Sequence, residues 1–244
     1  MLTLRHTELD LLQRCPLQYE FFKTVGPMPP SAALHLGSSY HEGQRAGFKG
    51  KLETGDYNLV QVCDAYSDYF DKYHDLSVVF ADEEKPGDLK DVGIKLLSAY
   101  ALTQADLVQP VEVEKSISRE SVNLPGVILT GKIDLITADA IIDHKTTSRL
   151  PSETDLANDI QANTYLLLHP VESGEFRFHY AHKTKLAIFE KITHRTPKEQ
   201  TWFQEILLAR YVRMIIAGIF PPSTEGYWCS ESYCGWYLLC KGKG

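Results

Sequence analysis

The stretch GKIDLITADAIIDHK, residues 131–145, constrains this chain more than any other. Two runs rich in β-branched residues, 133–137 and 140–144, flank Ala138-Asp139 and predict a β-hairpin. Ionisable residues stand among its apolar ones, where an unpartnered charge is costly. Successive strand residues point to opposite faces, so Asp143 and Lys145 share a face while His144 points away, and Asp134 on the partner strand can lie beside them. Any one of these residues alone is an ordinary turn or surface charge. Together, two carboxylates and an amine at a sheet edge suit a divalent cation with a lysine next to it.

The rest of the chain supplies a frame for that hairpin. Leu9, Leu12, Tyr19 and Phe22 recur at helical spacing over residues 7–23, with Thr7 as the cap and the Gly-Pro-Met-Pro-Pro of residues 26–30 as the stop. A helix from near His41 to about Phe48 comes next, with Gly37, Gly43 and Gly47 marking close backbone approach. Residues 58–74 and 89–106 predict two more helices, the first carrying Val62, Ala65, Tyr66, Tyr69 and Tyr73 on one stripe. From Val111 the period changes to that of strands: 111–114, the hairpin, 176–182 and 186–194. Helices are expected over 156–168 and 197–216. The expectation is one α/β domain over residues 1–244 with a central mixed β-sheet flanked by helices. Its parts are a mainly helical 1–108, a core over 109–218 and a cysteine-rich 219–244.

Hydrophobic residues at 43% and charged residues at 23% belong to a folded globular chain rather than a disordered one. A net charge of -7 leaves no global basic footprint, so contact with nucleic acid requires a local patch. The opening residues contain no apolar signal core, and no apolar run reaches membrane-spanning length, so cytoplasmic residence without membrane association is expected. In a reducing compartment the crowding of Cys229, Cys234 and Cys240 near the end reads as metal ligands rather than disulfides. Cys63, beside Val62 in a helix, reads as a core residue.

A phosphodiester resists attack because of its own negative charge. A Mg2+ or Mn2+ held by carboxylates neutralises that charge and acidifies a bound water, and Lys145 could orient or deprotonate the water. Gln161 and Tyr165 lie four residues apart and share a helix face that follows soon after the hairpin. There an amide and a phenol could bond the water, the lysine or a phosphate oxygen. A local basic path is suggested by Lys145, Arg149, Lys183, Lys185, Lys191 and Arg195, with Tyr180, Trp228, Tyr233 and Trp236 as stacking faces.

Gly37-x3-His41, Gly131-x2-Asp134, Asp143-x-Lys145 and Gln161-x3-Tyr165, in this order, resemble the RecB-like branch of the PD-(D/E)XK nuclease superfamily. That branch includes recombination helicase-nucleases, phage exonucleases and CRISPR-associated exonucleases. The resemblance implies a restriction-endonuclease-like core, with metal ligation by His41, Asp134, Asp143 and the backbone carbonyl of His144. It further implies Lys145 as the catalytic lysine and Gln161 and Tyr165 as supporting residues. Glu114, on the preceding strand, is an optional further acidic contributor. The iron-sulfur members place one cysteine before a proline in an N-terminal helix and three near the C-terminus. Cys15-Pro16, Cys229, Cys234 and Cys240 are similar to that pattern, although C-x4-C replaces the usual C-x2-C. A [4Fe-4S] cluster is thereby implied, with zinc the lesser alternative, and either would clasp the termini.

The function implied is a Mg2+- or Mn2+-dependent DNA nuclease, most simply an exonuclease acting on single-stranded ends or flaps. The alternative is an inactive or auxiliary DNA-binding module within a recombination, phage or CRISPR adaptation complex. A binding module has no need of Asp134, Asp143 and Lys145 together.

Overall fold

The computed structural model describes residues 1–242. In chain order its elements are β1 (Leu2–Arg5), α1 (His6–Arg14), α2 (Pro16–Thr24), α3 (Ala32–Thr54), α4 (Leu59–Phe70), α5 (Pro86–Thr103), β2 (Glu112–Glu120), β3 (Val127–Ile136) and β4 (Ile141–Thr147). There follow α6 (Glu153–Ala157), α7 (Ile160–Leu168), β5 (Glu175–His182), β6 (Ala187–His194), α8 (Pro197–Trp202), α9 (Ala209–Ala217) and α10 (Tyr237–Cys240). The strands form a mixed six-stranded sheet in the order β1-β3-β4-β5-β6, with β2 also pairing β3. β4 and β5 run parallel, setting His144 opposite His179 and Lys145 opposite Tyr180. The α/β sheet architecture flanked by helices is the one expected.

Backbone packing divides the chain into two compact units. The larger comprises Pro29–Ile117 and Lys132–Arg195, the smaller Met1–Met28, Ser118–Gly131 and Thr196–Gly244.

In the larger unit α3 and α4 pack side by side and α5 lies against both. Tyr40, Phe48, Tyr66, Phe70 and Tyr100 are almost wholly buried there, together with Leu135 and Ile142 of the hairpin. Burying each such apolar side chain contributes about 1.5–3 kcal/mol. The helix expected to begin near His41 instead begins at Ala32, with the Ser31 hydroxyl accepting the Leu34 N–H at 3.2 Å. It runs unbroken through four glycines, so His41 lies mid-helix. The physical reason is packing: a Cβ at Gly43 would come within 3.0 Å of the Val62 carbonyl oxygen and 3.2 Å of the Tyr66 Cβ. Seating α4 against α3 outweighs the ~1 kcal/mol a helical glycine costs relative to alanine. Helix 156–168 is also corrected. It divides at Asn158-Asp159, where the Asp159 side chain accepts the Ala162 N–H at 2.7 Å and opens α7.

In the smaller unit the expected helix 7–23 is preceded by β1, which had no distinct signal, and is cut in two. β1 pairs in parallel with the first half of β3. The cap of α1 comes not from Thr7 but from Glu8, whose carboxylate accepts the Arg5 N–H at 3.0 Å. Cys15 is extended, at φ -162 and ψ 106, because the ring of Pro16 disfavours a helical residue before it. Helix 197–216 holds as one run, but with a π-helical segment over Phe203–Leu208. It ends at Gly218 in the left-handed region, φ 65.

Candidate active site

Four elements of the larger unit, α3, β3, β4 and α7, bring the candidate residues together. Gly37, one turn before His41 on the same face, lets the α3 backbone approach β4: a Cβ there would already touch the Thr146 hydroxyl oxygen at 3.4 Å. His41 Nδ1 then lies 3.0 Å from Asp134 Oδ2. That same oxygen accepts the His144 backbone N–H at 3.0 Å. Ladder pairing of β3 with β4 includes Leu135–Ile142 and Ile136–Ile141, and next to it the Asp134 side chain takes a β4 amide instead.

Asp143 is 1% exposed and is held from two sides. Its Oδ1 accepts a hydrogen bond from Gln161 Nε2, and its Oδ2 lies 2.8 Å from the Lys145 ammonium. Lys145 in turn donates to Gln161 Oε1 at 2.7 Å, closing a three-residue ring. Gln161 can do this because it occupies the first turn of a helix buried on nearly every side. Tyr165, one turn on, donates to the Lys132 carbonyl at 2.9 Å and ties α7 to β3. Glu114 pairs with Lys132 from a backbone at φ 58, a left-handed conformation that disfavours a side chain. It borders a small cavity with His41, Asp134 and His144.

Burial opposes charge at every one of these groups, and their partners decide the outcome. Asp143 is pushed up to about 6 by burial, with Lys145 opposing and Asp134 adding to the rise. Burial would also raise Asp134, but His41 and the His144 contacts win and hold it well below the usual carboxylate range. For His41 and Lys145 burial works against the cation, yet Asp134 and Asp143 respectively raise both pKa values. Lys145 is therefore an ammonium in this state, a donor rather than a base.

Among the described residues no group of three or more His, Cys, Asp or Glu is gathered closely enough to hold a metal ion. The donor set nevertheless fits a hard divalent cation, which prefers carboxylate and carbonyl oxygen. Asp143 Oδ2 is buried without a well-aligned hydrogen bond and faces the Lys145 ammonium at 2.8 Å.

Two residues outside the expected set lie under the site. The His144 ring packs against Phe48 and Tyr100 at 5.7 and 5.2 Å between centroids, and Tyr100 OH bridges to His179. Strand alternation signals that His144 leaves the Asp143 face, but nothing local to Tyr100 or His179 marks them as its partners. The expected basic path loses Arg195, which is 6% exposed and donates to the carbonyls of Leu156 and His194 and the side chains of Asn163 and Thr193. Tyr180, 9% exposed, is largely lost as a stacking face for the same reason of burial.

The cysteines gather in the smaller unit. Cys15, Cys229, Cys234 and Cys240 all line one cavity of about 150 Å³, with Leu17, Phe21, Trp228 and Tyr237. None of the five cysteines is in a disulfide. The Ser223 N–H donates to Cys15 Sγ at 3.3 Å and Gln18 Nε2 to Cys234 Sγ at 3.1 Å. Cys63 lies apart in α4, half-buried, with burial pushing its thiol up.

The sequence profile of the PD-(D/E)XK nuclease superfamily matches residues 3–241, and the chain belongs to that superfamily. Its fold is similar to the crystal structure of a protein from Eubacterium rectale described as a "putative exonuclease", with a TM-score of 0.59 and 13% identity over 92% of this chain and 86% of that one. Likeness at that identity speaks for the fold alone. A looser match, the protein SSO0001, has a TM-score of 0.44 and 18% identity over 99% of this chain and 87% of that one, too loose to argue from. No curated protein sequence matches the chain significantly. Among the described residues no helix is long and apolar enough to cross a membrane.

Proposed function

We propose that this nuclease is a Mg2+- or Mn2+-dependent deoxyribonuclease, an exonuclease acting on single-stranded DNA ends or flaps. The observation that carries the reading is the closed ring of Asp143, Lys145 and Gln161 beside the His41–Asp134 pair. A buried carboxylate and a partly exposed lysine have no structural need to meet at the open end of a hairpin, and replacing a desolvated ion pair by apolar residues is often neutral or stabilising. The exonuclease part rests on the motif resemblance and on the name of the Eubacterium rectale neighbour, and the single-strand part on the resemblance alone.

Asp134, Asp143, His41 and the His144 carbonyl would hold the cation. When bound, it neutralises phosphate charge and acidifies a water. Gln161 orients Asp143 and Lys145 toward one another, so neither needs to reorganise when substrate arrives. Lys145, charged in the resting arrangement, donates to the phosphate oxygens as negative charge develops. Tyr165 fixes the distance between α7 and β3 and so keeps Gln161 in place.

For the cysteines we propose a [4Fe-4S] cluster. Four thiols around one cavity suit a cluster better than a single zinc, which draws its thiolates to about 2.3 Å. Cytoplasmic residence and association with recombination, phage or CRISPR adaptation proteins belong to the same reading.

The test is hydrolysis of end-labelled single-stranded and duplex DNA with Mg2+, Mn2+ or EDTA, beside Asp143→Ala and Lys145→Ala. Metal-dependent release of nucleotides from single-stranded ends, lost in both variants, is expected. Equal degradation by variants and wild type would sink the assigned site, and DNA retention without cleavage would favour a binding module.

A further inference from the structure

Beneath Asp134 runs a line of hydrogen bonds that the proposed chemistry does not use. His144 Nε2 lies 3.1 Å from Tyr100 OH, Tyr100 OH lies 2.8 Å from His179 Nδ1, and His179 Nε2 lies 3.2 Å from Glu190 Oε2. Tyr100, His144 and His179 are at most 2% exposed, whereas the Glu190 side chain is 38% exposed. With one proton on each imidazole, the carboxylate end of the line fixes the direction. A carboxylate can only accept, so His179 donates from Nε2, and a ring with that single proton accepts at Nδ1. Tyr100 must then donate to His179, and its oxygen accepts from His144 Nε2–H. The remaining nitrogen, His144 Nδ1, lies 3.8 Å from Asp134 Oδ2, beyond hydrogen-bond reach. That oxygen already takes the His144 amide and is in contact with His41.

We propose that the His144–Tyr100–His179–Glu190 line is a positioning relay. It holds the His144 ring as the Nε2–H tautomer and leaves no proton on Nδ1 to compete for Asp134, so that this carboxylate stays available to a cation. The tautomer half stands on these distances with one proton on each ring, and the cation half rests on Asp134 being a metal ligand. Tyr100, His179 and Glu190 act only through His144 and touch neither substrate nor metal. Without the phenol, His144 Nε2–H would be buried without a partner, and the ring would gain by moving its proton to Nδ1 and turning it on Asp134.

Two readouts test this on the full chain. Long-range proton–nitrogen correlation spectra of histidine-labelled protein report which His144 nitrogen carries the proton, and calorimetric titration with Mn2+ reports the affinity of the site. Wild type should show Nε2–H. Tyr100→Phe should shift His144 toward Nδ1–H and weaken Mn2+ binding about 10-fold, the lower end of what partners of metal ligands contribute. Glu190→Gln alters only the exposed end and leaves the core intact. Because a carboxamide can donate as well as accept, this variant should give a mixture of His144 tautomers. An Nδ1–H signal in wild type, or an unmixed Nε2–H signal in Glu190→Gln, would overturn the relay. Unchanged Mn2+ affinity in a folded Tyr100→Phe would overturn the cation half. Failure of wild type itself to bind Mn2+ would overturn the metal reading and the cation half with it, while the spectra still decide the tautomer.

Discussion

The carboxylate site and the cysteine cavity are built on opposite plans. In the first, every charge has found an opposite one: His41 with Asp134, Lys145 with Asp143, and Gln161 bridging the second pair. In the second, four thiols line a space bounded largely by apolar side chains, and the Ser223 N–H and Gln18 Nε2 donate to the sulfurs of Cys15 and Cys234. A site that neutralises itself can hold its geometry with no guest. Thiols that line a cavity have no such internal partner, so under the proposed cluster the guest there would belong to the fold. The difference teaches that two sites in one chain can be organised in different ways, one by its own opposite charges and the other by the space its side chains leave between them.

That comparison breaks first at Lys145. Lys145→Ala should lower the rate of DNA hydrolysis about 10³-fold, or ~4 kcal/mol of transition-state stabilisation, while the urea midpoint moves little. A large loss of stability with activity retained would reverse the assignment. Cys234→Ser should do the opposite. We expect a fall in Tm of about 10 °C, the ~3 kcal/mol order of a lost structural ligand, and loss of visible absorbance in anaerobically purified protein. A colourless, iron-free wild type would remove the cluster from the comparison.

A smaller effect separates burial from chemistry. Burial lowers His144 to about 4, against roughly 6.5 for a free histidine, so the unfolded chain binds a proton that the folded one refuses. The resulting stability is fully present above pH 6.5 and is lost as pH falls toward 4. Between pH 7 and pH 4.5 wild type should therefore lose about 2–3 kcal/mol more than His144→Gln in urea titrations. Equal losses would show that His144 is already charged in the folded protein. Asp159→Ala removes the cap that opens α7 and should cost ~1 kcal/mol, with a matching small loss of activity through Gln161. The smallest effect sharpens the comparison most: EDTA should abolish hydrolysis yet shift Tm by less than about 2 °C, because the carboxylate site is already neutralised by its own residues. A large thermal shift on chelation would show that the two sites do not differ as described.

Much of the site is legible in the sequence because its parts are close along the chain. Asp134 and Asp143-His144-Lys145 lie on one hairpin, where the two-residue period fixes which side chains share a face, and Gln161 and Tyr165 are one helical turn apart. Helix ends fared worse. His41 sits in the middle of α3 rather than near its start, because the contact of Gly43 with α4 is a tertiary reward that local propensity cannot register. The break at Cys15 was written in Pro16 all along, since the restriction on a residue before proline is local. By contrast, β1 is four residues long and becomes a strand only because Leu2–Arg5 finds β3, more than a hundred residues away. Arg195 looks in the sequence like a free cation, and only folding shows its guanidinium enclosed by carbonyls.

By itself, then, the sequence determined the alternation that puts Asp143 and Lys145 together, the chemistry of the candidate ligands, and membership of the superfamily whose profile matches residues 3–241. Tertiary structure alone decided what those charges lean on. Whether Asp143 is a buried group pushed up to about 6, whether Lys145 rests as an ammonium, and whether His144 stands at the head of a line through Tyr100 and His179 all depend on burial and on distances that folding sets, between partners as near in the chain as Asp143 and Lys145 and as far apart as Tyr100 and His179. Residue type and spacing fix the chemistry a chain has available. Desolvation and distance, which exist only once the chain is folded, fix which protonation state and which tautomer that chemistry starts from.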